Sequence, residues 1–289
     1  MSRPGSWAAV VMAFIELGKP RVSLLAALAA GAGCALAGGG AGTSAAASAG
    51  VLLISCGAGA LNELQERDLD ARVERTKGRP LPSGRLTSGQ AVGFVLIAGF
   101  SGLAVLGTGR PAAAVLGAAA AVLYNGVYTP LKRLSSFAAL PGALAGAIPP
   151  AIGWVYGGSS LADIRVHALC LVMFIWQVPH SWLVLFGREE GFGEPDPGAL
   201  SGRMSGSQLR RLVPPWVLGT AVSTLLFAAG GAVHAPATRG ALLAASLWLA
   251  WQALSFRLKP ASGALSLFRR MNLFMLGALL LAALDPLFR

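Results

Sequence analysis

Long apolar stretches, separated by short polar segments, run through almost the whole chain. Each stretch has about 20 residues, the length that an α-helix needs to cross the hydrocarbon core of a bilayer. Lipid offers the backbone no hydrogen-bond partners, so a spanning stretch of this kind must be helical. The pattern predicts nine membrane-spanning helices, at residues 21–41, 44–64, 90–109, 112–130, 138–157, 162–186, 213–233, 239–256 and 270–287. We therefore predict an all-α, polytopic membrane protein built as a nine-helix bundle.

Two of the polar connections are long, at residues 67–88 and 187–211. Each follows a span that ends in polar and acidic residues, so the arrangement occurs once in the first part of the chain and once in the second. This recurrence predicts one integral-membrane domain, residues 1–289, with two related halves at about 1–135 and 136–289.

Composition excludes a water-soluble fold and fixes an orientation. Charged residues make up 12% of the chain and hydrophobic residues 55%, against roughly 25% charged residues in soluble domains. Most of the 23 Lys and Arg residues lie on one side of the predicted spans if the N-terminus is cytoplasmic, as membrane proteins prefer. We predict a cytoplasmic N-terminus and a C-terminus outside. Contact with anionic headgroups accounts for the charge of +11, and no nucleic-acid partner is implied.

The segment before Lys19 lacks a small-residue cleavage site after a first apolar run, so it is not interpreted as a removable signal peptide. No transit-like leader is recognisable either. These features favour a prokaryotic plasma membrane.

Four residues with oxygen-bearing side chains follow the second apolar stretch: Asn62, Glu63, Glu66 and Asp70. If the helix continues past the membrane surface, Glu63, Glu66 and Asp70 share one face, with Asn62 one turn before Glu66. Mg²⁺ is commonly held by one or two carboxylates together with substrate phosphates. The face predicts a Mg²⁺ site with Asn62, Glu63, Glu66 and Asp70 as ligands. The alternative is an ordinary solvated helix end.

Basic residues lie close enough in sequence, or at the same predicted membrane face, to bind an anion beside this site. Arg offers a two-pronged donor and Lys a mobile point charge, and both bind phosphate groups well. The alternative is that they simply anchor the spans at the cytoplasmic surface. The candidate diphosphate contacts are Arg75, Lys77, Arg79, Lys132, Arg133 and Arg188.

The sequence from Asn62 to Asp70 resembles the NDxxDxxxD signature of the UbiA membrane prenyltransferase superfamily, with Glu at two of its Asp positions. Within that superfamily the chain is most similar to the family of protoheme IX farnesyltransferases, or haem O synthases. The narrower resemblance rests on five segments: Lys19-Pro20-Arg21, Glu74 to Gly84 (ERTKGRPLPSG), Tyr128 to Arg133 (YTPLKR), Gly146 to Trp154 (GAIPPAIGW) and Trp176 to Trp182 (WQVPHSW).

The resemblance implies a nine-helix bundle with a central cavity open to lipid. It implies farnesyl diphosphate as the donor, haem b as the acceptor and Mg²⁺ as the cofactor. In such an enzyme Asn62, Glu66, Asp70 and Lys132 would be catalytic, because they would draw off the diphosphate and leave an allylic cation. A downstream haem A synthase or the assembly of a terminal oxidase would be the possible protein partners.

Several residues at membrane depth are candidates for contact with the haem or the prenyl chain under this resemblance. His180 follows Pro179, whose ring interrupts the local helix and frees backbone groups. His180 is a candidate contact for a haem propionate or the haem iron, or a candidate proton carrier, and the alternative is a histidine that is simply hydrogen-bonded within the bundle. The full set of candidates is His180, Tyr124, Tyr128, Trp176 and Gln177.

The family's second acidic site normally has an Asp-Tyr pair, and its positions fall on Gly191 and Phe192 in this chain. Among the carboxylates nearby, Glu190 is the first choice for a metal ligand. Two alternatives to haem O synthesis therefore stay open. One is a prenyltransferase of the same fold with another acceptor, such as a quinone precursor ring, and the other is a non-catalytic haem-binding or assembly paralogue.

Overall fold

Within residues 7–189, 206–258 and 263–288, which the computed structural model describes, the chain is helical and contains no strand. The predicted all-α fold class is confirmed. The helices are α1 (Trp7–Leu17), α2 (Pro20–Leu36), α3 (Ala41–Asp70), α4 (Ser88–Gly109), α5 (Pro111–Val122), α6 (Thr129–Leu131), α7 (Ala139–Tyr156), α8 (Ile164–Glu189), α9 (Gly206–Ala229), α10 (Pro236–Leu258) and α11 (Ala264–Leu284).

Each predicted span overlaps one helix or one continuous pair of helices. By length and composition, seven helical segments of the described chain can cross a membrane. Those seven are Ala41–Asp70, Ser88–Gly109, Pro111–Leu131, Ala139–Tyr156, Ile164–Leu183, Arg210–Ala229 and Ala264–Phe288. The helix α2, with 17 residues, is shorter, and α10 is not one of the seven. A polytopic membrane protein is thus supported, whereas the count of nine spans stays a prediction.

The apolar pattern did not predict α1, because its 11 residues are too few to be distinguished as a span. Ala13 and Leu17 on its inner face are buried in a cluster that includes Ala60 of α3 and Ala91 of α4. Its outer face carries Trp7, which is largely exposed. The helix ends at Leu17, two residues before Lys19. Its packing against α3 and α4 therefore fixes the position of that lysine.

Glycines allow α2 and α7 to approach closely. A methyl group added to Gly153 would overlap the carbonyl oxygen of Ala30, and one added to Gly33 would overlap the carbonyl oxygen of Pro150. Small residues at such crossings let helix backbones pack tightly in membranes. Because α11 packs on both α2 and α8, the last helix closes the bundle against the first long one.

The helices expose apolar side chains on their outward faces and bury polar side chains at the end of α3. Large apolar side chains on outward faces, such as Leu96, Ile97 and Phe100 of α4, are exposed, as expected for contact with lipid. The C-terminal end of α3 instead buries acidic and amide side chains. The end of α3 is therefore the candidate functional site, because buried polar groups in a membrane protein are often functional.

Candidate active site

The last three turns of α3 bury the four polar side chains that the sequence placed on one face. Asn62, Glu63, Glu66 and Asp70 are between 1% and 7% exposed. They are buried because α3 runs on for 30 residues without interruption, and the loop that follows, together with residues 123–132, packs against its end. Buried carboxylates are costly unless they are paired, so their partners define the site.

Asn62 and Glu66 form the centre of the cluster. The amide Nδ2 of Asn62 donates to Glu66 Oε2 at 3.2 Å and to Thr129 Oγ1 at 3.0 Å. Two lysines from other parts of the chain complete it: Lys19 Nζ donates to Asn62 Oδ1 at 2.5 Å, and Lys132 Nζ donates to Glu66 Oε2 at 2.6 Å. Residues far apart in sequence thus meet around the Asn62–Glu66 pair.

The second oxygen of Glu66, Oε1, is buried and has no hydrogen-bond partner among the described residues. Arg133 Nε lies 3.9 Å from it, beyond hydrogen-bonding distance. Native proteins rarely leave a buried oxygen unsatisfied, so such an atom is a candidate contact for an ion or a water molecule. Asn62 and Glu66 together offer two hard oxygen atoms, which suits Mg²⁺ completed by phosphate and water oxygens.

The other two carboxylates of the face hold the loop after α3. Arg79 Nη1 donates to Asp70 Oδ2 at 2.5 Å, and the backbone N–H of Leu81 donates to Glu63 Oε1 at 3.0 Å. The hydroxyl of Thr76 donates to the carbonyl of Asp70 at 2.9 Å. In the described residues no three His, Cys, Asp or Glu side chains are grouped to hold one ion. The metal-ligand roles of Glu63 and Asp70 stay predictions.

Lys19 belongs to the site, although the sequence identified it only as part of a short basic segment before the first span. Its backbone adopts a left-handed conformation with φ of 49°, which is uncommon for a residue other than glycine. Its aliphatic carbons lie over Gly59 of α3. Burial, together with the charges of Arg79 and Lys132, lowers the pKa of Lys19 to about 7. A cation held under such strain and so close to other cations is a candidate for binding an anion.

Lys132 reaches the site from the other side. The helix α5 continues through a π-helical segment, Leu123–Tyr128, into α6, and Lys132 directly follows α6. Its Nζ lies 5.4 Å from the ring centre of Tyr128, whose ring centre is 5.3 Å from that of Tyr124. Burial lowers the pKa of Lys132, while the adjacent Glu66 carboxylate raises it in part. Both tyrosines therefore adjoin the cluster, and their contact with a prenyl chain stays a prediction.

The loop cations predicted to bind diphosphate lie in two different environments. Arg79 is mostly buried and pairs with Asp70. Lys77 is exposed and pairs with Glu74 at 2.6 Å, and Arg75 is also exposed. Of these three, Arg79 is the one the structure brings to the acidic face.

The remaining predicted cations and the second acidic site are less well defined. Arg133 is exposed, and its Nη2 donates to the carbonyl oxygen of Gln65 at 2.7 Å. Arg188 lies in the last turn of α8, within the part of that helix for which side chains are not described. Glu190 lies outside the described residues.

A second group of candidates lies between α8 and α11. His180 Nδ1 is 2.9 Å from Asn272 Oδ1, and the imidazole packs between Trp176 and Phe268, with ring centres 4.6 and 4.9 Å away. Trp176 Nε1 donates to the carbonyl of Met271 at 3.2 Å. The sequence did not reveal Asn272 as a partner, because only the packing of α11 on α8 brings the two together.

The helix α7 connects the two groups through a pair of glycines one turn apart. An added methyl group at Gly142 would lie 2.8 Å from the ring of Tyr128, and one at Gly146 would lie 3.2 Å from the amide of Gln177. Residues four apart on a helix occupy the same face. Tyr128 and Gln177 therefore lie against neighbouring positions of one face of α7.

Comparison with known proteins places this geometry in a family. The UbiA prenyltransferase family matches residues 22–277. The protoheme IX farnesyltransferase of Geobacter sulfurreducens is 40% identical over 223 residues, which cover 75% of this chain and 81% of that protein. The protoheme IX farnesyltransferase of Oleidesulfovibrio alaskensis is 43% identical over 137 residues, which cover 46% of this chain and 48% of that protein.

Solved structures share the fold at low sequence identity. A structure from work on digeranylgeranylglyceryl phosphate synthase has a TM-score of 0.75 at 14% identity and covers 96% of this chain and 98% of its own. A UbiA homologue from Archaeoglobus fulgidus, solved with GPP and Mg²⁺, has a TM-score of 0.67 at 14% identity and covers 93% of this chain and 99% of its own.

Proposed function

Because the chain belongs to the UbiA prenyltransferase family, we propose that it acts as a protoheme IX farnesyltransferase and transfers the farnesyl group of farnesyl diphosphate to haem b, giving haem O. The observation that carries the proposal is the cluster at Glu66, whose buried carboxylate has one unpartnered oxygen and a lysine on the other. The similarity to curated protoheme IX farnesyltransferases supports the choice of acceptor.

Lys19, Arg79 and Lys132 are the cations that would receive the diphosphate. Each is now held by an oxygen of the acidic face, at 2.5 or 2.6 Å. A diphosphate offers stronger acceptors than these side chains, so it can replace them as the partner of each cation. The site therefore holds its cations in place before the substrate arrives, which reduces the cost of arranging them.

We assign Mg²⁺ to Asn62 and Glu66, because Glu66 Oε1 is a buried carboxylate oxygen with no hydrogen-bond partner among the described residues and Asn62 lies directly beside it. When bound, the metal would neutralise charge on the leaving diphosphate. Glu63 and Asp70 are placed to contribute as well if their loop contacts rearrange, and Glu190 is the predicted ligand from the second half of the chain. The Archaeoglobus homologue, which was solved with GPP and Mg²⁺, supports a divalent cation in the family.

The transfer begins when the bond between the first farnesyl carbon and the diphosphate oxygen breaks and the electron pair stays on the oxygen. Lys19, Arg79 and Lys132 bind that oxygen and its neighbours more strongly as the charge develops. Tyr124 and Tyr128, whose ring centres lie 5.3 Å apart, would stabilise the allylic cation through their ring faces. A haem vinyl group then supplies the electron pair for the new carbon–carbon bond. Water adds to the resulting cation and loses a proton, which completes a hydroxyethylfarnesyl group.

His180, Trp176 and Gln177 are the proposed contacts of the acceptor. If His180 Nδ1 donates to Asn272 Oδ1, the lone pair of Nε2 is free to contact haem, for example at the iron. The aromatic rings of Trp176 and Phe268 fix the plane of the imidazole. Tyr128 lies against Gly142 of α7, and Gln177 lies against Gly146, one helical turn further along. An acceptor beside Gln177 would therefore adjoin the prenyl end of the donor.

The chain is an integral membrane protein, and the prokaryotic plasma membrane is its proposed location. We place the N-terminus in the cytoplasm and the C-terminus outside, because basic residues favour the cytoplasmic face. The end of α3 then faces the cytoplasm. The product would leave through the bilayer to a haem A synthase or to a terminal oxidase in assembly.

The proposal is tested by mass spectrometry of haem extracted after incubation of the membrane-embedded protein with haem b, farnesyl diphosphate and Mg²⁺. A haem carrying a hydroxyethylfarnesyl group, absent when a chelator is added, is the expected result. If haem stays unmodified in folded protein, quinone precursor rings are tested next as acceptors. If no acceptor is prenylated, a non-catalytic haem-binding role replaces the enzyme, and haem binding is measured directly.

A further inference from the structure

One turn of helix between α5 and α6 is wider than its neighbours. Residues Leu123–Tyr128 are π-helical, and the N–H of Thr129 bonds to the carbonyl of Tyr124, five residues earlier. By the same pattern, the carbonyl of Asn125 would receive the N–H of residue 130. That residue is Pro130, which has no N–H. The helix itself therefore supplies no such donor to the Asn125 carbonyl.

A side chain from α3 supplies the missing donor. Gln65 Nε2 donates to the carbonyl oxygen of Asn125 at 3.2 Å. In return, the buried amide Nδ2 of Asn125 donates to the carbonyl oxygen of Ala58 at 2.9 Å and lies 3.4 Å from Gln65 Oε1. The two amides thus fasten the π turn to α3 at Asn125, through contacts with Ala58 and Gln65.

The residues that follow the π turn build the site. Thr129 Oγ1 accepts from Asn62, and Lys132 Nζ donates to Glu66. A regular α-helix turns by about 100° per residue, so conversion of the π turn to α geometry would rotate everything after it by roughly that angle. Lys132 would then no longer face Glu66. A π turn within an α-helix is often found at a functional site.

We propose that Asn125 and Gln65 are positioning residues, which compensate for the absent N–H of Pro130 and hold the π turn so that Lys132 and Tyr128 face the acidic end of α3. The proposal concerns the geometry of Lys132, and it rests on the proposed function only for the turnover measurement below.

The test measures how fast Lys132 is acetylated in the full-length protein in lipid nanodiscs. The protein is treated briefly with the N-hydroxysuccinimide ester of acetic acid, and the acetylation of each lysine is quantified by mass spectrometry. Lys77 is an exposed lysine of the loop after α3 and serves as the internal reference. Asn125→Leu should release Lys132 from Glu66 and raise its rate about fivefold relative to Lys77. An unchanged rate in the folded Asn125→Leu protein would overturn the proposal.

Gly126→Ala is the matched control. Gly126 lies in the same π turn, is exposed, and an added methyl group would meet only Val122 Cγ1, at 3.9 Å. We expect its Lys132 rate to stay within about twofold of the parent protein. If Gly126→Ala raised the rate as much as Asn125→Leu, any disturbance of the turn would suffice, and a specific role for Asn125 would be rejected.

Gln65→Leu provides a second variant in case Asn125→Leu does not fold, because Gln65 is exposed. It should raise the Lys132 rate by about threefold. In a Pro130→Ala background, where an N–H is restored, Gln65→Leu should have a smaller effect, since the Asn125 carbonyl then has another donor. Equal effects of Gln65→Leu in both backgrounds would contradict the compensation.

Turnover distinguishes positioning from a general loss of stability. With farnesyl diphosphate and haem b, Asn125→Leu should lower kcat about tenfold while KM for the diphosphate stays within about twofold. A proportional loss of folded protein with normal kcat would reject the positioning role. If the parent protein itself gives no prenylated haem, the proposed function fails, and the acylation result still decides the role of Asn125.

Discussion

The acidic end of α3 and the aromatic region between α8 and α11 solve different physical problems. At α3, Glu66 and Asp70 are buried and each is paired with a cation from elsewhere in the chain. Between α8 and α11, His180 is held by one amide oxygen and two aromatic rings. Under the proposed function, the first region would stabilise the charge of the diphosphate, whereas the second would hold the large flat haem.

The two regions would serve different parts of the proposed reaction: the departure of the diphosphate at α3, and the binding of the acceptor between α8 and α11. Burying a charged group costs free energy unless a partner compensates it, so the groups at α3 depend on one another and a change in one of them affects the others. Aromatic contacts add smaller and more independent energies. Substitutions at α3 should therefore act mainly on kcat and metal dependence, and those between α8 and α11 on the affinity for the acceptor.

The largest effect is expected from Glu66→Gln, which removes the carboxylate with the unpartnered oxygen. Without it the leaving diphosphate loses its metal, so kcat should fall by about 10³-fold while the protein stays folded. Single-turnover kinetics with farnesyl diphosphate measures this. Glu74→Gln, which changes an exposed acid of the adjacent loop, is the control and should leave kcat unchanged. Substantial chelator-sensitive activity in Glu66→Gln would disprove the metal assignment.

A second comparison sets Lys132 against Lys77, both of which the sequence presented as diphosphate contacts. Lys132→Gln should lower kcat by about 100-fold, because Lys132 lies at the centre of the cluster. Lys77→Gln should change it by less than about twofold, since Lys77 is exposed and already paired with Glu74. Steady-state rates at saturating farnesyl diphosphate measure both. Equal losses in the two variants would place the diphosphate over the loop instead of over Glu66.

The sharpest test of the second region is His180→Ala. It should raise KM for haem b about tenfold with little change in kcat or in chelator sensitivity, because one ligand contact is lost and the charged site is intact. Asn272→Leu should cause a smaller rise, since it removes only the partner of His180. His167→Ala, at an exposed histidine of the same helix, is the control. A fall in kcat with unchanged KM would move His180 from acceptor binding to the chemistry.

The sequence predicted those parts of the molecule that depend on local spacing. Apolar stretches of sufficient length located the long helices, and the i, i+3, i+7 spacing from Glu63 to Asp70 placed these carboxylates on one side of α3. Neither inference needs a long-range contact. The helix α1 was missed because 11 apolar residues do not make a span, although they suffice to pack against α3 and α4.

The partners of the site residues could not be predicted, because tertiary packing selects them. Charge and spacing do not distinguish Lys132 from Lys77, and only the family resemblance named Lys132 as catalytic. Burial against Glu66 is the physical difference between the two lysines. Pro130 has no N–H to donate, but nothing in the sequence shows that Gln65 of another helix donates to the Asn125 carbonyl instead. Asn272 likewise became visible only through the packing of α11.

The smallest expected effects come from the two glycines of α7 and test whether the regions can be changed separately. Gly142→Ala would press on the ring of Tyr128 beside Lys132, and Gly146→Ala would press on the amide of Gln177. We expect Gly142→Ala to lower kcat about threefold and Gly146→Ala to raise KM for haem b by about the same factor, because crowding by one methyl group shifts a side chain by a few tenths of an ångström. Gly93→Ala, where an added methyl group meets nothing within 4 Å, is the control. If both variants changed the same kinetic parameter, donor and acceptor would share one continuous pocket, and the division between the charged end of α3 and the aromatic region of α8 would have to be given up.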